Sequence, residues 1–194
     1  MDKKAHIYAS NFMYDFLKNN GITNCKKTIM LGNLFPDLKP SFITVKHNLE
    51  ATEKTINKLL YKIQNNYNKI NKRCIFTICQ IIHYISDYFT APHNPELWNK
   101  NLYQHIMYER KQHIELRNYI INKEFIKDIK NFDFKKNINT TDELFEEIKK
   151  IHKEQYLIEK KSIKNDIKYI ICIIHNTLIW ILNKIFNYNK LSIQ

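Results

Sequence analysis

Apolar residues recur at helical spacing along most of the chain. Between Lys4 and Asn20 the positions Ile7, Phe12, Phe16 and Leu17 mark the buried stripe of an amphipathic helix, and Gly21 stands where a C-terminal cap is expected. A short segment from Thr28 leads into LGNLFPDLKP, whose glycine and two prolines predict a turn that displays Asp37. A long polar helix follows from about His47 to Ile70, with His47 opening it. The segment from Arg73 to Thr90, RCIFTICQIIHYISDYFT, is apolar on nearly every side and predicts the central buried helix, which Ala91-Pro92 ends. Another helix spans about Glu96 to Asn122, with His105, Glu109 and His113 along one stripe. Beyond Phe132 the chain turns polar, Thr141-Asp142-Glu143 reads as a helix start, and a charged helix runs to about Lys161. The longest apolar run, from Tyr169 to Leu182, falls short of the roughly 20 residues that cross a bilayer. It reads as a core helix, with a helix lying on a membrane surface as the alternative.

Composition narrows the architecture. Two glycines and four prolines leave too little turn chemistry for a sandwich or a barrel. With no internal repeat and no low-complexity linker, residues 1–194 are expected to form a single all-α domain, a bundle of about seven helices. Cys25, Cys74, Cys79 and Cys172 contain no CxxC pair, so reduced and mostly buried thiols are expected. The start, MDKKAHIYASNF, lacks an apolar signal core, which predicts a cytoplasmic protein or one peripheral to a membrane. The formal net charge of +12 favours anionic partners, whether an anionic membrane, nucleic acid or phosphate esters. A lysine-rich solvated face is the plainer explanation of the same charge.

The polar exceptions within the apolar segment carry the chemistry. HYISDYFTAPHN sets His83, Asp87 and His93 at His-x3-Asp-x5-His spacing. Residues four apart share a helix face, so His83 and Asp87 project together, and the Ala91-Pro92 turn returns His93 toward them. Burying that pair without partners is costly, whereas a cation satisfies both. His105 and Glu109 repeat the four-residue spacing, and imidazole with carboxylate is a donor set suited to zinc. For Tyr84, Tyr88 and Phe89, which flank these residues, core packing is expected. His152 and His175 are left outside the site.

In chain order the candidates are His6, Asp37, His47, His83, Asp87, His93, His105 and Glu109. At this point the first 115 or so residues resemble the bacterial zinc-dependent phospholipase C family. The resemblance implies an all-helical domain with zinc ions in a cleft. His47, His83 and Asp87 would hold one zinc, and His93, His105 and Glu109 a second. Asp87 would bridge to a third near His6, and Asp37 would act on the attacking water as general base or orienting group. Secreted members complete that third site with the amino group and carbonyl of an N-terminal tryptophan, whereas this chain begins MDKKA before His6. Either its amino end substitutes, or the third zinc is weak or absent. Leu38 also follows Asp37, where secreted members tend to carry an aromatic headgroup contact.

The function so implied is a zinc-dependent phosphodiesterase that hydrolyses phospholipid, in contact with an anionic membrane. A zinc nuclease of the related P1 type, acting on single-stranded nucleic acid, is the alternative, and its basic charge fits. A non-catalytic, zinc-stabilised helical protein is the third reading.

Overall fold

The computed structural model describes residues 1–39 and 47–186, and within them regular structure is entirely helical. Eight α-helices follow one another: α1 (Lys3–Asn19), α2 (Lys26–Leu38), α3 (Leu49–Asn66), α4 (Lys72–Tyr88), α5 (Leu102–Ile121), α6 (Phe125–Asn131), α7 (Thr141–Ile151) and α8 (Ile163–Trp180). A single 3₁₀ turn, Ala91–His93, follows α4, and π-helical segments extend α7 (His152–Tyr156) and α8 (Ile181–Ile185). Side-chain caps explain most starts. Asp2, Asn48, Asn71, Asn101, Thr140 and Ser162 each accept a backbone N–H from the first turn of the helix they precede.

α4 is the spine. Every residue from Cys74 to Tyr88 except Phe76 is buried, because α2 covers one side of it, α3 another and α8 a third. α8 is buried almost as fully, so the apolar run expected as a core helix packs inside the bundle. Among the described residues no helix is long and apolar enough to cross a membrane. The four cysteines are all buried and free, as expected.

Three expectations about boundaries need correction. LGNLFPDL is not a turn but the body of α2, with Pro36 inside the helix; Pro40 lies outside the described residues. Pro36 lacks an N–H for the Gly32 carbonyl, a loss tolerated two residues before the helix stops. Gly32 serves contact rather than turning: a Cβ there would stand 2.8 Å from Cys79 Cβ and 2.9 Å from the Phe76 carbonyl oxygen on α4. The second correction is that His47 precedes the Asn48 cap instead of opening α3. The third is that α5 begins at Leu102, where Asn101 and Gln104 form a capping box, and not near Glu96. Gly21 behaves as expected. Its φ is 82°, and the Gly21 N–H to Lys18 and Ile22 N–H to Leu17 carbonyl bonds close α1 in a Schellman motif.

Candidate metal centre

Six segments deliver the site. α1 supplies His6, the end of α2 supplies Asp37, and the residue before the α3 cap supplies His47. α4 supplies His83 and Asp87, the 3₁₀ turn His93, and α5 His105 and Glu109. The fold brings all eight into one cluster. They form three groups whose donor atoms lie within 4.8 Å of one another: His6, His83 and Asp87; Asp37, His47 and His83; and His93, His105 and Glu109.

His83 shows what the cluster needs. Its Nδ1 stands 2.7 Å from the Asn33 carbonyl oxygen, which can only accept, so Nδ1 carries the proton. Burial, together with the neighbouring His6, holds the ring's pKa well below the usual histidine value, so it is neutral and Nε2 presents a lone pair. That lone pair faces Asp37 Oδ1 and Asp87 Oδ2, each at 3.4 Å. Two carboxylate oxygens around a nitrogen lone pair repel one another unless a cation lies among them. His47 adds a fourth donor, its Nδ1 lying 3.0 Å from His83 Nε2, 3.2 Å from Asp87 Oδ2 and 3.5 Å from Asp37 Oδ1.

Asp87 looks in two directions. While Oδ2 faces His47 and His83, Oδ1 lies 3.4 Å from His6 Nε2 and accepts a hydrogen bond from the Met1 ammonium at 2.6 Å. His6 is fully buried, stacks on His83 at 4.0 Å, and has no hydrogen-bond partner at either ring nitrogen. A buried imidazole with both nitrogens unsatisfied is what a ligand looks like before its cation is considered. Burial would raise the Asp87 pKa, but the Met1 ammonium and the surrounding histidines outweigh it and hold the carboxyl well below its usual range.

The third group lies across Asp87. Glu109 Oε1 is 3.1 Å from His105 Nε2 and 3.3 Å from His93 Nε2, and the Met1 ammonium lies 3.3 Å from the same oxygen. Burial lowers the pKa of the Met1 ammonium, yet Asp87 and Glu109 outweigh that and raise it to about 10. One positive amino group thus sits where two carboxylates meet. Asp37, whose side chain is 7% exposed, has its pKa raised by burial. The donor set of imidazole nitrogens and carboxylate oxygens fits zinc, and the orphaned His6 ring and the His83 lone pair are the features that a metal would satisfy.

Other expectations sort cleanly. Tyr84, Tyr88 and Phe89 are core residues, and Leu38 is exposed. His113 binds Asp2 Oδ2 through Nδ1 at 2.6 Å, which ties α5 to the cap of α1. His152 binds the Asn94 side chain, and His175 is buried against Phe16; neither reaches the cluster. The sequence reading missed the Asn33 carbonyl, because a backbone acceptor leaves no residue-type signal. The amino end, one of the two alternatives it left at the third site, lies against Asp87 across 86 residues of sequence separation.

The sequence profile of the family described as zinc dependent phospholipase C matches residues 5–165, a stretch that contains all eight candidates. No curated protein and no solved structure matches the chain.

Proposed function

Because the chain belongs to the zinc-dependent phospholipase C family, we propose that it is a zinc-dependent phosphodiesterase that cleaves phospholipids on the diacylglycerol side of the phosphate. The observation that carries this reading is the neutral His83, its Nε2 lone pair aimed between two carboxylates at the centre of an eight-residue cluster.

His47, His83 and Asp87 would hold one zinc, and His93, His105 and Glu109 a second. The other oxygen of Asp87, with His6 beside it, would hold a third. When bound, zinc supplies Lewis acidity, polarising phosphoryl oxygens and making water a competent nucleophile near neutral pH. Burial disfavours protonation of His83 and His93, and the bond from His83 to the Asn33 carbonyl fixes which of its ring nitrogens is the donor. Asp37 receives or orients the proton of the attacking water, and burial of its carboxyl favours that role by raising its proton affinity. Asp87, with oxygens facing two groups at once, keeps their spacing fixed.

A metal count followed by a substrate panel tests the proposal. The purified protein is expected to contain at least two zinc ions per chain and to release phosphorylated headgroup from a short-chain phospholipid. His83→Ala is expected to abolish turnover. Less than one zinc per chain, or full turnover by that variant, would refute the reading. Faster cleavage of single-stranded DNA than of phospholipid would favour the nuclease, and zinc without hydrolysis of any phosphodiester would favour a structural metal.

A further inference from the structure

α5 presents a packing problem. Its buried side chains are Gln112, Leu116 and Tyr119, so the first turns, which carry His105 and Glu109, bury no apolar residue. The hydrophobic effect places the far half of this helix and leaves the half that matters for the metal group with only partly buried contacts, such as the Tyr108 ring edge-on to Trp98 at 5.0 Å.

A buried carboxylate supplies the anchor. Asp166, in the first turn of α8, is 1% exposed and accepts four hydrogen bonds. Its Oδ2 receives the Ala91 N–H at 2.9 Å, the Tyr108 hydroxyl at 2.9 Å and the Gln112 amide at 3.1 Å, and its Oδ1 receives the Tyr156 hydroxyl at 2.9 Å. Ala91 opens the 3₁₀ turn that ends in His93. Tyr108 precedes Glu109 in the chain, and Gln112 lies three residues beyond it. The two segments that carry His93, His105 and Glu109 are therefore tied to one carboxylate, although those residues come from separate elements. Among the described residues, none of the donors to Asp166 belongs to α1, α2, α3 or α4, which carry or adjoin the rest of the cluster.

We infer that Asp166 is a positioning residue for the His93, His105 and Glu109 group: it holds the 3₁₀ turn and the first half of α5 at the separation that lets the three side chains grip one metal ion. Four donors converge on two oxygens, and although the Gln112 amide also reaches Thr90 Oγ1 at 3.4 Å, removal of the carboxylate takes the acceptor from the Ala91 N–H and from the Tyr108 and Tyr156 hydroxyls and frees the turn and the helix to separate. The inference depends on the zinc reading above and specifies which of its sites a remote residue controls.

Zinc titration of the metal-free full chain against a chromophoric chelator tests it. In Asp166→Ala one zinc equivalent is expected to weaken by about 10–100-fold, the usual effect of losing an outer partner of a metal site, with the remaining equivalents unchanged. Asp166→Asn is expected to restore most of the affinity. An amide oxygen can accept from Ala91, Tyr108 and Gln112, while the amide nitrogen donates to the Tyr156 hydroxyl oxygen. In a His105→Ala background, where that group is already broken, the Asp166 substitution is expected to have no further effect. Should Asp166→Ala fail to fold, Tyr108→Phe removes one of the same hydrogen bonds and is expected to weaken the same equivalent several-fold. Unchanged zinc affinities in the folded Ala variant, or in the Phe variant if Ala does not fold, would overturn the inference. So would equal weakening of every equivalent. A wild-type chain that binds no zinc would overturn the proposed function itself, an outcome read before any variant is compared.

Discussion

A carboxylate beside a zinc site can act on water or bind the metal, and for Asp37 in the proposed centre the two roles separate on substitution. Its Oδ1 lies within 3.5 Å of both His47 and His83, but burial raises its pKa, which suits a proton acceptor. Asp37→Asn is expected to keep the zinc content and lower kcat by about 10²–10⁴-fold, the usual range for a lost general base. Loss of a zinc equivalent would reassign the residue as a ligand. His175 predicts a pH effect with no part in catalysis. Burial lowers its pKa to about 4, against an ordinary 6.5 in the unfolded chain. As pH falls through 6.5 the unfolded state takes up a proton that the folded state refuses, so stability is lost from about pH 6.5 down to about pH 4. Urea titrations of the metal-free chain at pH 7 and pH 4.5 check this. His175→Phe is expected to lose about 2–3 kcal/mol less than wild type across that interval; an equal loss would refute it. At this scale the sequence disclosed the residues with a period. His83 with Asp87, and His105 with Glu109, were legible because four residues return to one helix face. His6, Asp37 and His47 were legible only as an ordered set matching a family. Asp166 left no trace, since an acid in the first turn of a helix ordinarily faces water.

The elements that carry the site are held by different forces, and that difference decides how each responds to change. α4 is fixed by apolar burial on almost every side, and its apolar run gave it away in the sequence. α2 was misread because glycine and proline signal a turn when their neighbours are unknown. Only the approach of α4, which leaves no room for a Cβ at position 32, explains why a glycine sits inside a helix. That contact sets the distance between Asp37 on α2 and His83 on α4, and between the Asn33 carbonyl and the His83 ring. Gly32→Ala is therefore expected to push α2 outward. Metal-free stability should fall by about 1–3 kcal/mol, as for other overpacked cores. Turnover should fall further than stability alone accounts for, because the His83 to Asn33 bond and the Asp37 position shift together. Urea unfolding of the metal-free chain, paired with turnover at saturating zinc on protein confirmed as folded, separates the two effects. An unchanged kcat would show that the helix spacing has slack.

For the whole molecule the question is what the charge does. The formal excess of +12 includes acids that the fold turns inward: Asp37, Asp87, Glu109 and Asp166 face histidines, an ammonium or hydrogen-bond donors rather than solvent. The solvent-facing surface is therefore more positive than the sequence total suggests. Lys123, Lys127, Lys130 and Lys164 outnumber Glu124 and Asp128 around one groove, while Lys62, Lys72 and Arg73 border another beside Phe35 and Phe76. A phosphodiesterase of lipids gains from such a surface, since each lysine near an anionic leaflet contributes about 1 kcal/mol of attraction and encounter no longer depends on diffusion from bulk alone. The plainer explanation, a solvated lysine face with no partner, makes the opposite forecast for vesicles. Under the first, the chain cosediments with anionic phospholipid vesicles at low ionic strength and much less with zwitterionic ones. Its binding falls steeply between about 0.1 M and 1 M salt as the screening length shrinks from about 10 Å to about 3 Å. Turnover of a short-chain phospholipid dispersed below its aggregation threshold should change far less over the same range, because in the proposed reaction the buried cluster and not the surface meets that substrate. Equal sedimentation with both vesicle types would leave the charge without a membrane role, and equal salt sensitivity of the dispersed substrate would place the electrostatic effect in the cleft instead.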